Sequence, residues 1–92
     1  MEHYLIVKFR KDTDVKKVYE EIKGLFEKAS EIEGVKKADV FLSSGKLRNN
    51  YDMMIKVQMK KSTLQSFKDS DLYREWEEKY SKYISKTTVF DS

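Results

Sequence analysis

The order in which the hydrophobic spacing changes along the chain constrains the fold more than any other feature. Residues 2–9 are β-branched and aromatic, with apolar side chains on both sides around residues 4–7, which predicts a central strand. Residues 12–14 then carry short oxygen-bearing side chains that are typical of helix N-caps. The apolar residues that follow recur at intervals of three and four, which predicts an amphipathic helix ending near Glu33 and Gly34. Its buried face is Val15, Val18, Tyr19, Ile22, Leu25, Phe26 and Ala29.

Two further strands are predicted in the middle of the chain. Residues 35–42 are the first, and polar turn regions follow at residues 43–45 and 49–50. Residues 51–59 are the second, because apolar and polar side chains alternate there. In the first of these strands one side is formed by Ala38, Val40 and Leu42.

The last third of the chain predicts two short helices and a strand. Ser62 and Gln65 have the spacing of a capping box, which predicts the start of the first helix. Residues 69–71 can cap the second helix, and residues 87–90 form the final strand. The second helix carries its apolar residues at helical spacing: Leu72, Tyr73, Trp76, Tyr80 and Tyr83.

The predicted order of elements is strand, helix, strand, strand, helix, strand within 92 residues. Two such βαβ halves predict a single α+β domain over residues 1–92, a ferredoxin-like βαββαβ subunit with its helices on one face of the sheet. The other face is then bare, and we expect a second copy to cover it in a homodimer. The residues predicted for that interface are Tyr4, Ile6, Met54, Lys56, Gln58 and Val89.

The composition bounds the partners and the location. The sequence has no cysteine, which excludes disulfides and thiolate sites and favours a cytoplasmic location. Its 19 basic and 16 acidic residues alternate along the predicted helices, so we expect no nucleic-acid partner. We expect neither a signal peptide nor a membrane span, since the longest apolar run covers only residues 4–7.

Few residues suggest catalytic or metal chemistry. His3 is the only histidine and could act as a general acid or base near neutral pH, or it could be a hydrogen-bonded residue at the start of a strand. One histidine without cysteine leaves only carboxylates for a metal, and the acidic residues at 12–14 and 69–71 fit better as helix caps. We therefore expect no metal and no cofactor. The aromatic residues of the last helix fit a stacking platform or, more simply, a core.

Four segments, in this order, resemble the stress-responsive dimeric α/β-barrel (Dabb) family. They are His3-Tyr4-Leu5-Ile6-Val7-Lys8-Phe9, Ile32-Glu33-Gly34-Val35, Tyr51-Asp52-Met53 and Thr88-Val89-Phe90-Asp91. The resemblance spans essentially the whole chain. It implies a ferredoxin-like subunit whose bare sheet face meets that of a twin, so that the two close a shared dimeric α+β barrel. The family includes plant stress-induced proteins and a plant polyketide cyclase.

The resemblance also implies a site, from which this chain departs in part. In the cyclase a pocket lies between helices and sheet, and a tyrosine and a histidine on the second helical region do the chemistry. Here Phe67 stands at the tyrosine position and Tyr73 at the histidine position, while His3 matches a pocket-lining position. The layout of the family places a pocket among His3, Leu5, Val7, Ile22, Leu25, Met53, Ile55, Val57, Phe67, Tyr73 and Trp76.

Two functions follow as hypotheses. The first is a homodimeric barrel protein that binds a small, largely apolar molecule or serves a stress-related role, without catalytic apparatus. The alternative is a cofactor-free enzyme of the polyketide-cyclase or antibiotic-biosynthesis-monooxygenase type, with His3 and Tyr73 as its catalytic candidates.

Overall fold

The computed structural model describes residues 1–45 and 50–92, so Asn49 of the second predicted polar turn lies outside the described residues. Within these two ranges, four strands and three helices follow one another, with single 3-10 turns at Ala29–Glu31, Lys61–Thr63 and Ser81–Tyr83. The elements are β1 (Glu2–Phe9), α1 (Val15–Phe26), β2 (Val35–Leu42), β3 (Met53–Met59), α2 (Leu64–Lys68), α3 (Asp71–Tyr80) and β4 (Ile84–Asp91).

The four strands form one sheet in the order β2-β3-β1-β4, and every neighbouring pair is antiparallel. The strands on either side of α1, β1 and β2, are therefore separated in the sheet by β3. This arrangement confirms the predicted α+β, ferredoxin-like fold of the subunit.

The sheet has two unlike faces. Odd-numbered side chains of β1 and β3 are buried against α1 and α3, and we call this side the helix face. Even-numbered side chains of β1 and β3 lie on the opposite side, which no element of the described chain covers, and we call it the open face. Ala38, Val40 and Leu42 pair with buried residues of β3, so the predicted common side of β2 is confirmed as the helix face.

Side chains cap the two longer helices as predicted. Lys17 donates its backbone N–H to Oδ1 of Asp14 at 3.3 Å, which satisfies a free donor at the start of α1. Tyr73 donates its backbone N–H to Oγ of Ser70 at 3.2 Å at the start of α3. The short α2 has no such bond, since its N-cap residue Thr63 makes no side-chain cap.

The end of α1 differs from the prediction. The helix ends at Phe26 and not near Gly34, because the chain turns through a 3-10 segment in which Ala29 is buried. Gly34 does take a left-handed conformation, with φ of +91°, but at the entry to β2. A Cβ at this position would lie 2.0 Å from Oγ1 of Thr63, so the close approach of Thr63 also requires a glycine.

Three boundaries in the second half also differ. The capping box is wrong: α2 begins at Leu64, and the side chain of Gln65 donates to Oδ1 of Asp69 at 3.2 Å instead of reaching back. β3 begins at Met53 rather than at residue 51, because Asp52 turns to accept the backbone N–H of Phe9 at 2.8 Å. β4 is longer than predicted and begins at Ile84.

The register of β4 corrects one predicted interface residue. Val89 pairs with Leu5, and residues that pair across strands share a face, so Val89 lies on the helix face and its place in the predicted interface is wrong. Phe90 pairs with Tyr4 and occupies the open face in its stead. A one-residue difference in register is sufficient to exchange the faces of a whole strand.

Candidate functional site

A buried histidine–carboxylate pair lies where β1 meets the end of β4. His3 pairs with Asp91 across the two strands, so both side chains lie on the helix face. Nδ1 of His3 shares a hydrogen bond with Oδ1 of Asp91. The histidine is 0% exposed, whereas the carboxylate remains 39% exposed. Because an ionised carboxylate only accepts hydrogen bonds, this contact places a hydrogen on Nδ1 and fixes the tautomer of the ring.

The other ring nitrogen of His3 has no partner. Nε2 is buried without a hydrogen bond among the described residues. When the ring is neutral, a hydrogen on Nδ1 leaves a lone pair at Nε2. A buried polar atom in this state costs about 1–3 kcal/mol of folding free energy.

Phe67 of α2 is in contact with both residues that were predicted as catalytic candidates. Its ring packs edge to face on His3, with centroids 6.0 Å apart, and on Tyr73, with centroids 5.4 Å apart. No ring contact or hydrogen bond joins His3 and Tyr73 in the part of the chain that the structure describes. The two candidates are thus brought to one region and kept apart by a phenyl ring.

Tyr73 borders a groove between α3 and β4, and we call it the α3–β4 groove. Its volume is about 360 Å³, and its wall includes Leu5, Tyr73, Trp76, Glu77, Thr87 and Val89. Burial, with a smaller contribution from the charge of Glu77, raises the pKa of the Tyr73 hydroxyl above the usual 10.0. The hydroxyl therefore remains a neutral hydrogen-bond donor over the whole physiological pH range.

The predicted pocket itself is filled. Ten of its eleven residues are buried core side chains, and only Tyr73 is partly exposed. Trp76 packs edge to face on Phe26 at 5.6 Å, and this contact closes the space between α1 and α3. The structure therefore corrects the expectation of an open cavity between His3 and Tyr73. Accessible space lies outside it, in the α3–β4 groove, which only Leu5, Tyr73 and Trp76 of the predicted set reach.

The open face carries the remaining predicted interface residues. Tyr4, Ile6, Met54, Lys56 and Gln58 all lie there, each partly exposed. Phe41 and Phe90 add large exposed apolar surface to the same face, at 47% and 57% exposure. The rings of Tyr4 and Phe90 are in contact, with centroids 6.0 Å apart.

Tyr51, at one end of the open face, has a hydroxyl whose pKa is shifted in the opposite direction to that of Tyr73. Tyr51 shares a hydrogen bond of 2.7 Å with Oγ1 of Thr88. This bond lowers the pKa of Tyr51, with weaker help from the charges of Lys86 and Lys8. The ammonium of Lys86 lies 5.9 Å from the centre of the Tyr51 ring.

Sequence reasoning missed Asp91, Phe90 and Glu77. The alternation of residues 87–91 signals a strand, but it does not say which alternate set faces the helices. Glu77 lies one helical turn beyond Tyr73, a spacing that could have placed it beside the tyrosine hydroxyl.

Within residues 1–45 and 50–92, no three histidine or acidic side chains lie close enough together to hold a metal ion. No helix in the same ranges has the length and apolar character required to cross a membrane.

Comparison with known proteins connects this fold to solved structures. No family model matches the sequence, and no curated protein matches it significantly. Among solved structures, a dimeric ferredoxin-like protein of unknown function from Thermobifida fusca has a TM-score of 0.82 at 13% identity, over 97% of this chain and 85% of that one. The Arabidopsis thaliana protein At3g17210 has a TM-score of 0.81 at 16% identity, over 99% and 91% of the two chains.

The fold thus defines this chain as a ferredoxin-like α+β protein of the kind found in dimeric proteins. A Dabb family protein with a ferredoxin-like fold from Mesorhizobium loti is also similar, with a TM-score of 0.72 at 11% identity over 99% of this chain and 92% of that one. The resemblance to the Dabb family is therefore confirmed as a likeness of fold.

Proposed function

We propose that two copies of this chain pair through their open faces to close a shared barrel, and that each subunit binds a small, largely apolar molecule in the α3–β4 groove. The single observation that carries the pairing is the uncovered apolar surface of Tyr4, Ile6, Phe41, Met54 and Phe90. A sheet face of this kind in a small domain favours burial against a second surface.

A second copy is the occupant that fits the chemistry of the open face. Two of its lysines have an opposite charge beside them, since Asp39 pairs across the strands with Lys56 and forms an ion pair with Lys37 at 3.6 Å. Charges that already have partners can be covered at lower cost than isolated ones. The similar T. fusca protein is dimeric, which supports the same assembly here.

Light scattering tests the pairing. At low micromolar concentration we expect twice the 11.0 kDa mass of the chain, because an interface of this kind buries well over about 1,000 Å². Ile6→Glu should dissociate the dimer, since it places an unpaired charge in the centre of the open face. Ser30→Glu adds the same charge at an exposed site away from that face and should leave the dimer intact. A monomeric wild-type chain would refute the assembly.

The observation that supports ligand binding is the make-up of the α3–β4 groove. Leu5, Trp76, Ile84 and Val89 contribute apolar side chains to its lining, and polar or charged residues such as Tyr73, Glu77 and Lys86 make up the rest. A concave apolar surface with a few directional polar groups is typical of small-molecule sites.

An apolar fluorescent probe, N-phenyl-1-naphthylamine, tests this site. Its emission should rise on binding, and Val89→Lys should weaken binding at least about tenfold because the ammonium resists burial beside an apolar ligand. Ser30→Lys is the matched control and should bind as the wild type does. Equal binding by Val89→Lys and the wild type would refute the groove as the site.

The enzymatic alternative requires His3 and Tyr73 to act on one ligand, and Phe67 is packed against both of them. Because this ring fills the space between the two candidates, ligand binding in the α3–β4 groove is favoured over catalysis by His3 and Tyr73. The cytoplasmic location and the stress-related role stay predictions.

A further inference from the structure

We propose that the mouth of the closed barrel, at the end of the open face where Tyr51 lies, binds a small carboxylate with an apolar body. The proposal rests on the pairing of two open faces described above, and it adds a site on the opposite side of the sheet from the helices. Two neighbouring features carry it: a cluster of ammonium and hydroxyl groups, and an apolar notch that borders the same tyrosine.

The charges of the open face are unevenly distributed along its strands. Among the described strand residues, the register places four lysines and two acids on this face: Lys8, Lys37, Lys56 and Lys86, with Glu2 and Asp39. Asp39 lies beside Lys37 and Lys56, and Glu2 lies at the far end of β1. Lys8 and Lys86 instead lie directly opposite each other across β1 and β4. Like charges in this position repel, and a second copy that covers them raises the cost unless an anion lies between them.

The acid that follows Tyr51 in the chain, Asp52, does not balance this pair of lysines. Its Oδ2 accepts the backbone N–H of Phe9 at 2.8 Å, and it is one carboxylate beside two ammonium groups. The ammonium of Lys8 donates to the Asn50 carbonyl at 3.0 Å. Within residues 1–45 and 50–92, no ion pair includes Lys86. This end of the open face therefore keeps a net positive charge, which favours an anionic ligand.

Two hydroxyl groups add a directional donor to the same place. Tyr51 precedes β3, and its hydroxyl shares a hydrogen bond of 2.7 Å with Thr88 of β4, so its side chain reaches over β1. The two hydroxyls carry two hydrogens and use one of them in this bond, so the second can be donated to an anion. The hydrogen bond with Thr88, followed by the charges of Lys86 and Lys8, lowers the pKa of Tyr51. Both ammonium charges thus act at the point where the hydroxyl lies.

An apolar notch borders the same tyrosine. Its volume is about 110 Å³, and its wall includes Ile6, Phe41, Tyr51 and Met54. This space suits the short hydrocarbon body of a small ligand, since one water molecule takes about 30 Å³ of liquid volume. Two sheets of four strands make a barrel of eight, whose interior holds side chains or one small ligand, and barrel mouths are common ligand sites. A second copy closes the notch over the body of the ligand, while the carboxylate meets Lys86 and Lys8.

Hexanoate and hexanamide, which have nearly the same shape and differ in charge, test the ligand class by isothermal titration calorimetry at neutral pH. Hexanoate should bind the wild-type dimer at least about tenfold more tightly, because hydrogen bonds between ionised groups are about twice as strong as neutral ones. Acetate, which lacks the apolar body, should bind at least about tenfold more weakly than hexanoate, because it buries almost no hydrocarbon in the notch.

Lys86→Met tests the cationic group, since it removes the ammonium and keeps an unbranched apolar stem at an exposed position. It should reduce the affinity for hexanoate at least about tenfold and leave the affinity for hexanamide unchanged, which a merely structural role of Lys86 would not do. Tyr51→Phe combined with Thr88→Val removes both hydroxyls and should weaken hexanoate about twofold to tenfold. Lys16→Met is the matched control, because this exposed lysine belongs to α1 on the other side of the sheet, and it should bind as the wild type does.

Equal affinities of the wild-type dimer for hexanoate and hexanamide would overturn the proposal, and so would unchanged hexanoate binding by Lys86→Met. Displacement of N-phenyl-1-naphthylamine by hexanoate would place the carboxylate in the α3–β4 groove and also overturn it. The outcome is separable from that of the proposed function. A dimer without a preference for hexanoate overturns only the carboxylate site, whereas a monomer in light scattering refutes the pairing and the closed mouth together.

Discussion

Replacing His3 and replacing Asp91 should have unequal effects on the free energy of unfolding. His3→Leu replaces a fully buried ring by an apolar side chain and removes the unpaired Nε2. Its former partner, Asp91, is 39% exposed and can be hydrated instead. We therefore expect the free energy of unfolding of His3→Leu to lie within about 1 kcal/mol of the wild type, or above it.

Asp91→Ala should be the damaging change. It leaves Nδ1 of His3 buried and unpaired in addition to Nε2, and this added unpaired group costs about 1–3 kcal/mol relative to the wild type. A loss of this size lowers the melting temperature of a domain of this length by roughly 4–8 °C per kcal/mol. The ordering of the two variants, not their absolute values, is the prediction.

Urea denaturation followed by circular dichroism measures both variants. All proteins are compared at one concentration, because the stability of a dimer depends on it. Asp71→Ala is the control for loss of a carboxylate: this side chain is 98% exposed, so the change should stay within about 0.5 kcal/mol. If His3→Leu costs as much as Asp91→Ala, Nε2 has a partner in the folded state and the reasoning about an unpaired acceptor fails.

Three further outcomes are expected. Leu25→Ala should cost about 2–5 kcal/mol of unfolding free energy in the same denaturation assay, since it empties a buried site in α1; a loss below about 0.5 kcal/mol would contradict that packing. Gly24→Ala should stabilise α1 by about 0.5–1 kcal/mol, because nothing lies within 4 Å of the added Cβ. Gly34→Ala should strongly destabilise the domain, because its backbone has a φ of +91°. Equal effects of the two changes on the melting temperature would refute this contrast. When the absorbance of tyrosinate is followed as the pH is raised, Tyr51→Phe should remove signal from the lower-pH part of the rise and Tyr73→Phe from the higher-pH part. The reverse order would contradict the assigned pKa directions. Because the pKa of Tyr73 is raised in the folded state, its contribution to stability is present below about pH 10 and is lost above it.

The sequence alone determined the elements and the class of fold. Alternation in β1 and β3 and the three-and-four spacing of α1 are local patterns, set by the geometry of strand and helix, so they could be read without a structure. The cap residues Asp14 and Ser70 belong to the same category, because a cap bonds within three residues of itself. The order of these elements then left few topologies besides the ferredoxin-like one.

Tertiary structure decided what depends on register and on filling space. The pairing of Tyr4 with Phe90 and of Leu5 with Val89 fixes which side of β4 faces the helices, and hence the exchange of Val89 for Phe90. The same register brings His3 and Asp91 together across 88 positions of sequence. Local sequence patterns likewise could not predict whether Phe67 would line a cavity or fill one. Side-chain volume in a core is shared among distant residues, and only the assembled packing shows which of them takes the space.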